Sequence, residues 1–288
     1  MKKKAEMKQI PKTNETQSRN KKLSNPALVT GASSGIGEAY ARRLAREGVD
    51  LILVARRSRL IESLADELQS AHAVNVEALT TDLATEEGIA SIEDKISDGP
   101  PLSWLISSAG FGTRGRFVDV QKMKIIHMNR LHVEANARLV KASLPGMLEN
   151  RFGHIVMVSS LSAFLTTAEY VNYSATKAYV NMFALGLRDE LTSTGVKVQA
   201  LCPGLTKTEF FATEEFENFK YDSMPSWVWM TTHQVVEESI RSLNKRRNPP
   251  IFIPGLKNKA FTTILSSPLL GALARAGLAR IGRNRNLF

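Results

Sequence analysis

The chain has 288 residues, 43% of them hydrophobic and 23% charged, with one cysteine and a formal net charge of +10. This composition excludes a disordered or collagen-like chain, and the length accommodates one large domain or two small ones with a real core. A lone Cys202 cannot form an internal disulfide, so a cytosolic setting is the expectation.

The positive charge is confined to the two ends. Residues 1–22 hold eight Lys/Arg against two Glu, and residues 257–288 hold six Lys/Arg and no acid, which leaves 24 basic against 26 acidic residues in 23–256. A near-neutral body lacks the basic folded face of a nucleic-acid-binding domain, so no nucleic-acid partner is expected. Residues 1–22 lack the apolar run of a signal peptide and read as a disordered basic arm. No uninterrupted run of about 18 apolar residues occurs, so no membrane-spanning helix is expected. At the other end, residues 257–288 read as a basic amphipathic tail. Wound as a helix after Pro268, it gathers Leu269, Leu270, Leu273 and Ile281 on one side. Such a tail packs on the body or a partner subunit, or makes a peripheral membrane contact.

Within 23–256, short apolar, β-branched runs fall at 27–30, 50–55, 74–80, 104–107, 154–159, 196–201 and 250–253, separated by segments of helical length. The alternation predicts parallel β-α-β units in an α/β fold: a doubly wound, Rossmann-type sheet of about seven strands, forming a single domain. Unbroken runs such as Leu51-Ile52-Leu53-Val54 suit strands covered on both faces.

The first strand ends in Thr30-Gly31-Ala32-Ser33-Ser34-Gly35-Ile36-Gly37, and a helix is predicted to begin near Glu38. Glycines at such a turn let the backbone approach a pyrophosphate seated on the free N–H groups of the new helix. Nucleotide-binding folds that prefer NAD place an acid about 20 residues further on, against the ribose 2′-hydroxyl. Arg56 and Arg57 stand there instead. A guanidinium clamps a 2′-phosphate, so Arg56 favours NADP(H) over NAD(H), with Arg57 either a second phosphate ligand or a solvated residue. Asp82, after the third strand, either accepts a hydrogen bond from the adenine amine or caps the following helix.

Tyr173-Ser174-Ala175-Thr176-Lys177 opens a long helical pattern, and the i, i+4 spacing puts phenol and ammonium on one face. A neighbouring ammonium favours phenolate, which is expected to draw the tyrosine from its usual pKa near ~10 toward the working range of a proton shuttle. The other tyrosines, Tyr40, Tyr170, Tyr179 and Tyr221, have no lysine at +4. Thirteen residues before Tyr173, Ser160 follows the fifth strand, where a hydroxyl can polarise a carbonyl.

Taken together, Thr30-Gly31-x3-Gly35-x-Gly37, Asn129, Ser160, Tyr173-x3-Lys177 and Pro203-Gly204-x3-Thr208 resemble the short-chain dehydrogenase/reductase family, in its shorter single-domain branch. The resemblance covers about residues 24–255. It implies an enzyme, usually a homodimer or homotetramer, that moves a hydride between a nicotinamide cofactor and a ketone, aldehyde or alcohol. On that basis Tyr173 would be the general acid in reduction, Lys177 would lower its pKa and hold the nicotinamide ribose, and Ser160 would bind the substrate oxygen. Asn129 would fix a water linking Lys177 to solvent. Gly31, Ser33, Ser34, Gly35, Ile36 and Gly37 would form the phosphate turn. Ala109 and Gly110 would line the cofactor, and Pro203, Gly204 and Thr208 its nicotinamide end. No metal is implied. The family commonly carries Asn-Asn-Ala-Gly after strand four, where this chain has Ser107-Ser108-Ala109-Gly110, which puts the ribose contacts there in question.

Residues 209–231 are rich in large apolar side chains: Phe210, Phe211, Phe216, Phe219, Tyr221, Met224, Trp227, Trp229 and Met230. They read as a lid over a bulky hydrophobic substrate, steroid-like or fatty-acyl, or else as a flap or oligomer contact. A non-catalytic NADP(H)-binding regulator or scaffold is the rival from another class.

Overall fold

A computed structural model describes residues 24–165, 168–213, 216–217 and 224–266. The expected arm at 1–22, the tail beyond 266, and Phe219 and Tyr221 of the expected lid lie outside the described residues.

Seven parallel strands form one sheet in the order β3-β2-β1-β4-β5-β6-β7. They are β1 (Ala27–Thr30), β2 (Leu51–Ala55), β3 (Val76–Thr80), β4 (Trp104–Ser107), β5 (Gly153–Val158), β6 (Val196–Leu201) and β7 (Ile251–Phe252). The crossover helices are α1 (Gly35–Ala45), α2 (Ser58–Ala71), α3 (Glu86–Asp98), α4 (Lys122–Asn129), α5 (Ala135–Glu149), α6 (Val171–Glu190) and α7 (Thr232–Leu243), followed by α8 (Leu256–Ser266). The chain order reverses between β1 and β4, the place where open α/β sheets leave a crevice at the carboxyl ends of the strands.

Strand periodicity sorts the core into two layers. Val29, Leu51 and Leu53 face Tyr40 and Leu44 of α1, Ile61 of α2 and Val235 of α7, while Leu28, Ile52 and Val54 face Ile89 of α3, Leu139 of α5 and Val180 of α6. Each such Leu, Ile or Val, fully buried, contributes roughly 1.5–3 kcal/mol relative to exposure. Helix α2 shows the pattern that drives docking: Ile61, Leu64, Ala65 and Leu68 are buried at i, i+3, i+4 and i+7. A buried chain of hydrogen bonds adds direction to the packing. The Tyr40 phenol donates to Ser239 Oγ at 2.5 Å, and Ser239 donates to Gln199 Oε1, joining α1, α7 and β6.

Three local features differ from the sequence expectations. Helix α1 starts at Gly35 rather than near Glu38, because Gly35 and Gly37 form its first turn, packed directly on β1. The chain between α4 and α5 continues as a π-helical turn, Arg130–Glu134, so the helix gains a residue where a 3.6-residue period would run straight through. At the far end, α8 crosses the expected boundary at 256, and its Asn258 side chain packs on Gly204. No helix among the described residues is long and apolar enough to cross a membrane.

Candidate active site

The carboxyl ends of the central strands open into a cleft of about 610 Å³, with the β1–α1 turn at one end and Phe210, Phe216 and Met224 at the other. The β1–α1 end is built by close packing. Gly31 has φ +67°, and a Cβ there would meet the Ala109 backbone nitrogen at 2.8 Å; a Cβ on Gly37 would meet the Gly31 carbonyl oxygen at 2.4 Å. The turn therefore admits no side chain at either position. Ser34 is the N-cap of α1 yet makes no side-chain cap, so the first N–H groups of the helix keep the positive end of its dipole available to an anion.

The Ser33 and Ser34 hydroxyls are engaged by Arg57 instead. Its guanidinium donates to Ser33 Oγ at 2.9 and 3.1 Å and to Ser34 Oγ at 2.8 Å, and to Glu209 Oε2 at 2.8 Å. Arg56, the arginine favoured from sequence, is 71% exposed and stands 3.8 Å from Asp82 Oδ2. Both arginines line the cleft. The capping alternative for Asp82 is overturned: Thr85 caps α3 by accepting from Gly88 N, while Asp82 Oδ1 accepts from Ala84 N at 2.9 Å and the residue borders the cleft.

Behind the turn, the Ser108 and Ala109 amides donate to Thr30 Oγ1 at 3.0 and 3.1 Å. One threonine on β1 thus fixes the end of β4, so Ser107-Ser108 needs no amide side chain for that support. Pro203 accepts from Leu161 N at 3.1 Å, and the Thr208 methyl group lies against Gly35, bringing the segment after β6 over the β1–α1 turn.

Ser160, Tyr173 and Lys177 come together at the floor of the cleft. Ser160 caps a short 3₁₀ turn, accepting from Ser162 N at 3.1 Å, and its hydroxyl interacts with the Tyr173 phenol. Lys177 Nζ donates to the Val158 carbonyl at 2.8 Å and lies 5.6 Å from the centre of the Tyr173 ring. The expected lowering of the tyrosine pKa is not what the geometry gives. Burial pushes the phenol up to about 12, only partly offset by the Ser160 hydroxyl, and burial draws the lysine down to about 8. Desolvation outweighs charge attraction here, because the ammonium is aimed at a strand carbonyl rather than at the phenol. Cys202, buried below, is likewise pushed up to about 12 by desolvation, and its thiol donates to Asn181 Oδ1.

Asn129 does not join this group. It is exposed at the end of α4, where its Oδ1 accepts from Asn172 Nδ2 at 3.0 Å and it borders a separate shallow depression. The side chain that the π-helical turn packs behind the floor of the cleft is His132, which sequence reasoning missed. It is fully buried, with Nε2 accepting from Phe111 N at 3.2 Å and its ring edge-on to Tyr173 at 5.9 Å. A Cβ added to Gly110 would touch both His132 Nε2 and Lys177 Nζ. The only available signal was a second polar residue three positions after Asn129, which helical spacing alone could not rank above it.

Over the floor, Phe210 lies 5.8 Å from the Tyr173 ring and 5.4 Å from Phe216, which is buried and stacked near Tyr170 at 6.3 Å. Trp229 packs edge-on to Phe211, whereas Trp227 is 61% exposed beneath Lys257.

A nucleotide-binding parallel sheet with a hydroxyl, a phenol and an ammonium gathered at its switch point defines an oxidoreductase site. The short chain dehydrogenase family model matches residues 25–218. An uncharacterized oxidoreductase of Myxococcus xanthus is 37% identical over 218 residues, covering 73% of this chain and 80% of its own. Among solved structures, a short-chain dehydrogenase from Sphingobium yanoikuyae in complex with NADPH is 32% identical with a TM-score of 0.76, covering 87% of this chain and 96% of that one. A bulky-bulky ketone specific alcohol dehydrogenase from Comamonas testosteroni is 29% identical with a TM-score of 0.73, covering 89% and 94%. The chain belongs to the short-chain dehydrogenase family and is an oxidoreductase.

Proposed function

We propose that the protein is an NADP(H)-dependent reductase that interconverts a bulky, apolar ketone or aldehyde and its alcohol. The observation that carries this reading is the gathering of Ser160, Tyr173 and Lys177 in a cleft with the glycine turn at one end and Phe210 and Phe216 at the other. The residues present fit a dinucleotide: the turn excludes side chains, the start of α1 is uncapped, and two arginines border the adenosine end. Gly31, Ser33, Ser34, Gly35, Ile36 and Gly37 would hold the pyrophosphate, with Asp82, Ala109 and Gly110 along the adenosine and ribose. Pro203, Gly204 and Thr208 would border the nicotinamide, which when bound supplies or accepts the hydride.

The chain's own residues then handle the oxygen and its proton. Ser160 and Tyr173 offer two converging hydroxyls to a carbonyl oxygen, the arrangement that stabilises charge developing there. A phenol kept protonated by burial is suited to act as the acid in reduction. As the substrate oxygen takes its proton, the nearby Lys177 ammonium favours the phenolate left behind. Phe210, packed against the Tyr173 ring, keeps the reacting oxygen out of bulk water and presents an apolar wall to the substrate.

A fluorescence titration with NADPH and NADH at equal salt, followed by a screen of bulky ketones, tests the reading. Tighter NADPH binding and ketone-dependent NADPH oxidation support it; tighter NADH binding, or turnover confined to small polar carbonyls, overturns the corresponding half. The same reading includes self-association. Val171, Ala175, Tyr179 and Met182 form an exposed, largely apolar stripe along α6, a surface suited to a second copy. Sedimentation should show a dimer or larger assembly that Met182→Glu weakens, and a monomeric wild type would refute it.

A further inference from the structure

Glu209 is the first residue of the aromatic segment after β6, yet its carboxylate reaches back across the cleft to the phosphate end. There its Oε2 accepts from Arg57 Nη1 at 2.8 Å, while the remaining guanidinium donors hold Ser33 and Ser34. The Ser34 hydroxyl, which accepts from the same guanidinium, lies beside this contact. Thr208, one residue earlier, lies on Gly35, so the backbone already rests on the phosphate turn. The chain carries Arg56-Arg57 where an acid would select NADH, but folding returns a carboxylate to that neighbourhood from 152 residues away.

We propose that Glu209 is a specificity-determining residue: its carboxylate competes with the cofactor's 2′-phosphate for Arg57 and so moderates the preference for NADPH. The inference rests on the NADP(H) reading above. A phosphate carries about 1.5 to 2 negative charges and three strong acceptors, so it displaces a carboxylate from a guanidinium. NADH has only a ribose hydroxyl to offer and leaves the Arg57–Glu209 pair intact. Both side chains are about half exposed, 45% and 59%, so the competition is moderate in size and screened by salt.

The test is a titration of wild type and Glu209→Gln with NADPH, NADH and adenosine 2′-monophosphate at low and at physiological salt. The variant is isosteric and at the surface, so it keeps the fold. Expected is an affinity gain of about threefold to tenfold for NADPH and for adenosine 2′-monophosphate, no gain for NADH, and a smaller difference at the higher salt. Arg57→Ala, Glu209→Gln should lose the gain, since the contested donor is gone. If wild type prefers NADPH and Glu209→Gln leaves the NADPH-to-NADH ratio unchanged or lowers it, the inference fails while the NADP(H) reading stands. If neither protein prefers NADPH, both fall together.

Discussion

His132 Nδ1 lies 3.0 Å from Thr176 Oγ1, and that hydroxyl gives its own proton to the Tyr173 carbonyl. The threonine oxygen can then only accept, so His132 carries its proton on Nδ1 and leaves Nε2 to accept from the Phe111 amide. The ring is thereby held neutral beside Lys177, in keeping with a pKa driven well below the usual histidine value by burial and by the lysine. It joins the loop after β4 to the helix that bears Tyr173 and Lys177.

This makes His132 a positioning residue. His132→Ala leaves the Phe111 amide and the Thr176 hydroxyl without their partner and lets Tyr173 and Lys177 drift. Turnover should fall by about 10- to 100-fold, with NADPH affinity within a few-fold of wild type. Steady-state kinetics with parallel binding titrations separate the two effects. A drop in NADPH affinity as large as the drop in turnover would place His132 with the cofactor instead.

Acid should unfold the protein through its buried histidines. His154, buried against Trp104 at a ring separation of 4.0 Å, has its pKa held down to about 4, chiefly by burial and then by Lys197. A histidine depressed in the folded state takes up its proton more readily when unfolded. Stability is therefore full above the unfolded value near ~6.5 and is lost as pH falls toward the folded one. His154 alone accounts for about 2 kcal/mol lost between pH 8 and pH 5, and His132 acts in the same direction. Urea unfolding of His154→Gln should show a shallower pH dependence than wild type over that range, and an unchanged one would contradict the assignment.

The phosphate turn should tolerate no added methyl at Gly37, where a Cβ would sit 2.4 Å from a backbone oxygen. Gly37→Ala must push the start of α1 away from β1, at a cost of about 1–3 kcal/mol. NADPH binding should be lost well below the denaturation midpoint. Retained wild-type affinity would show that the turn does not seat the pyrophosphate.

Much of this was legible before the structure because it depends on local pattern. Strands 27–30, 104–107 and 196–201 match β1, β4 and β6 residue for residue, since unbroken apolar runs between helices leave one sheet topology. The Tyr173–Lys177 spacing and Ser160 at the end of β5 are equally local. The contacts of Arg57 were not legible: they turn on side-chain direction at the end of β2 and on Glu209, far away in sequence. The resemblance points to Asn129 as the asparagine of the central helix, and it does not report how that helix turns. The π-helical turn after it sets His132 against Tyr173, and nothing in hydropathy marks an extra residue in one turn. Burial likewise reverses the expected tyrosine shift, because a five-residue motif does not report how deeply the fold sets it.

The central claim is that Tyr173 delivers the proton in carbonyl reduction, and Tyr173→Phe tests it most directly because the ring and its contacts with Phe210 and His132 remain. NADPH-dependent reduction of a bulky ketone should fall by at least about 100-fold while NADPH affinity stays within about twofold of wild type. Turnover of the phenylalanine variant at the wild-type rate would contradict the account.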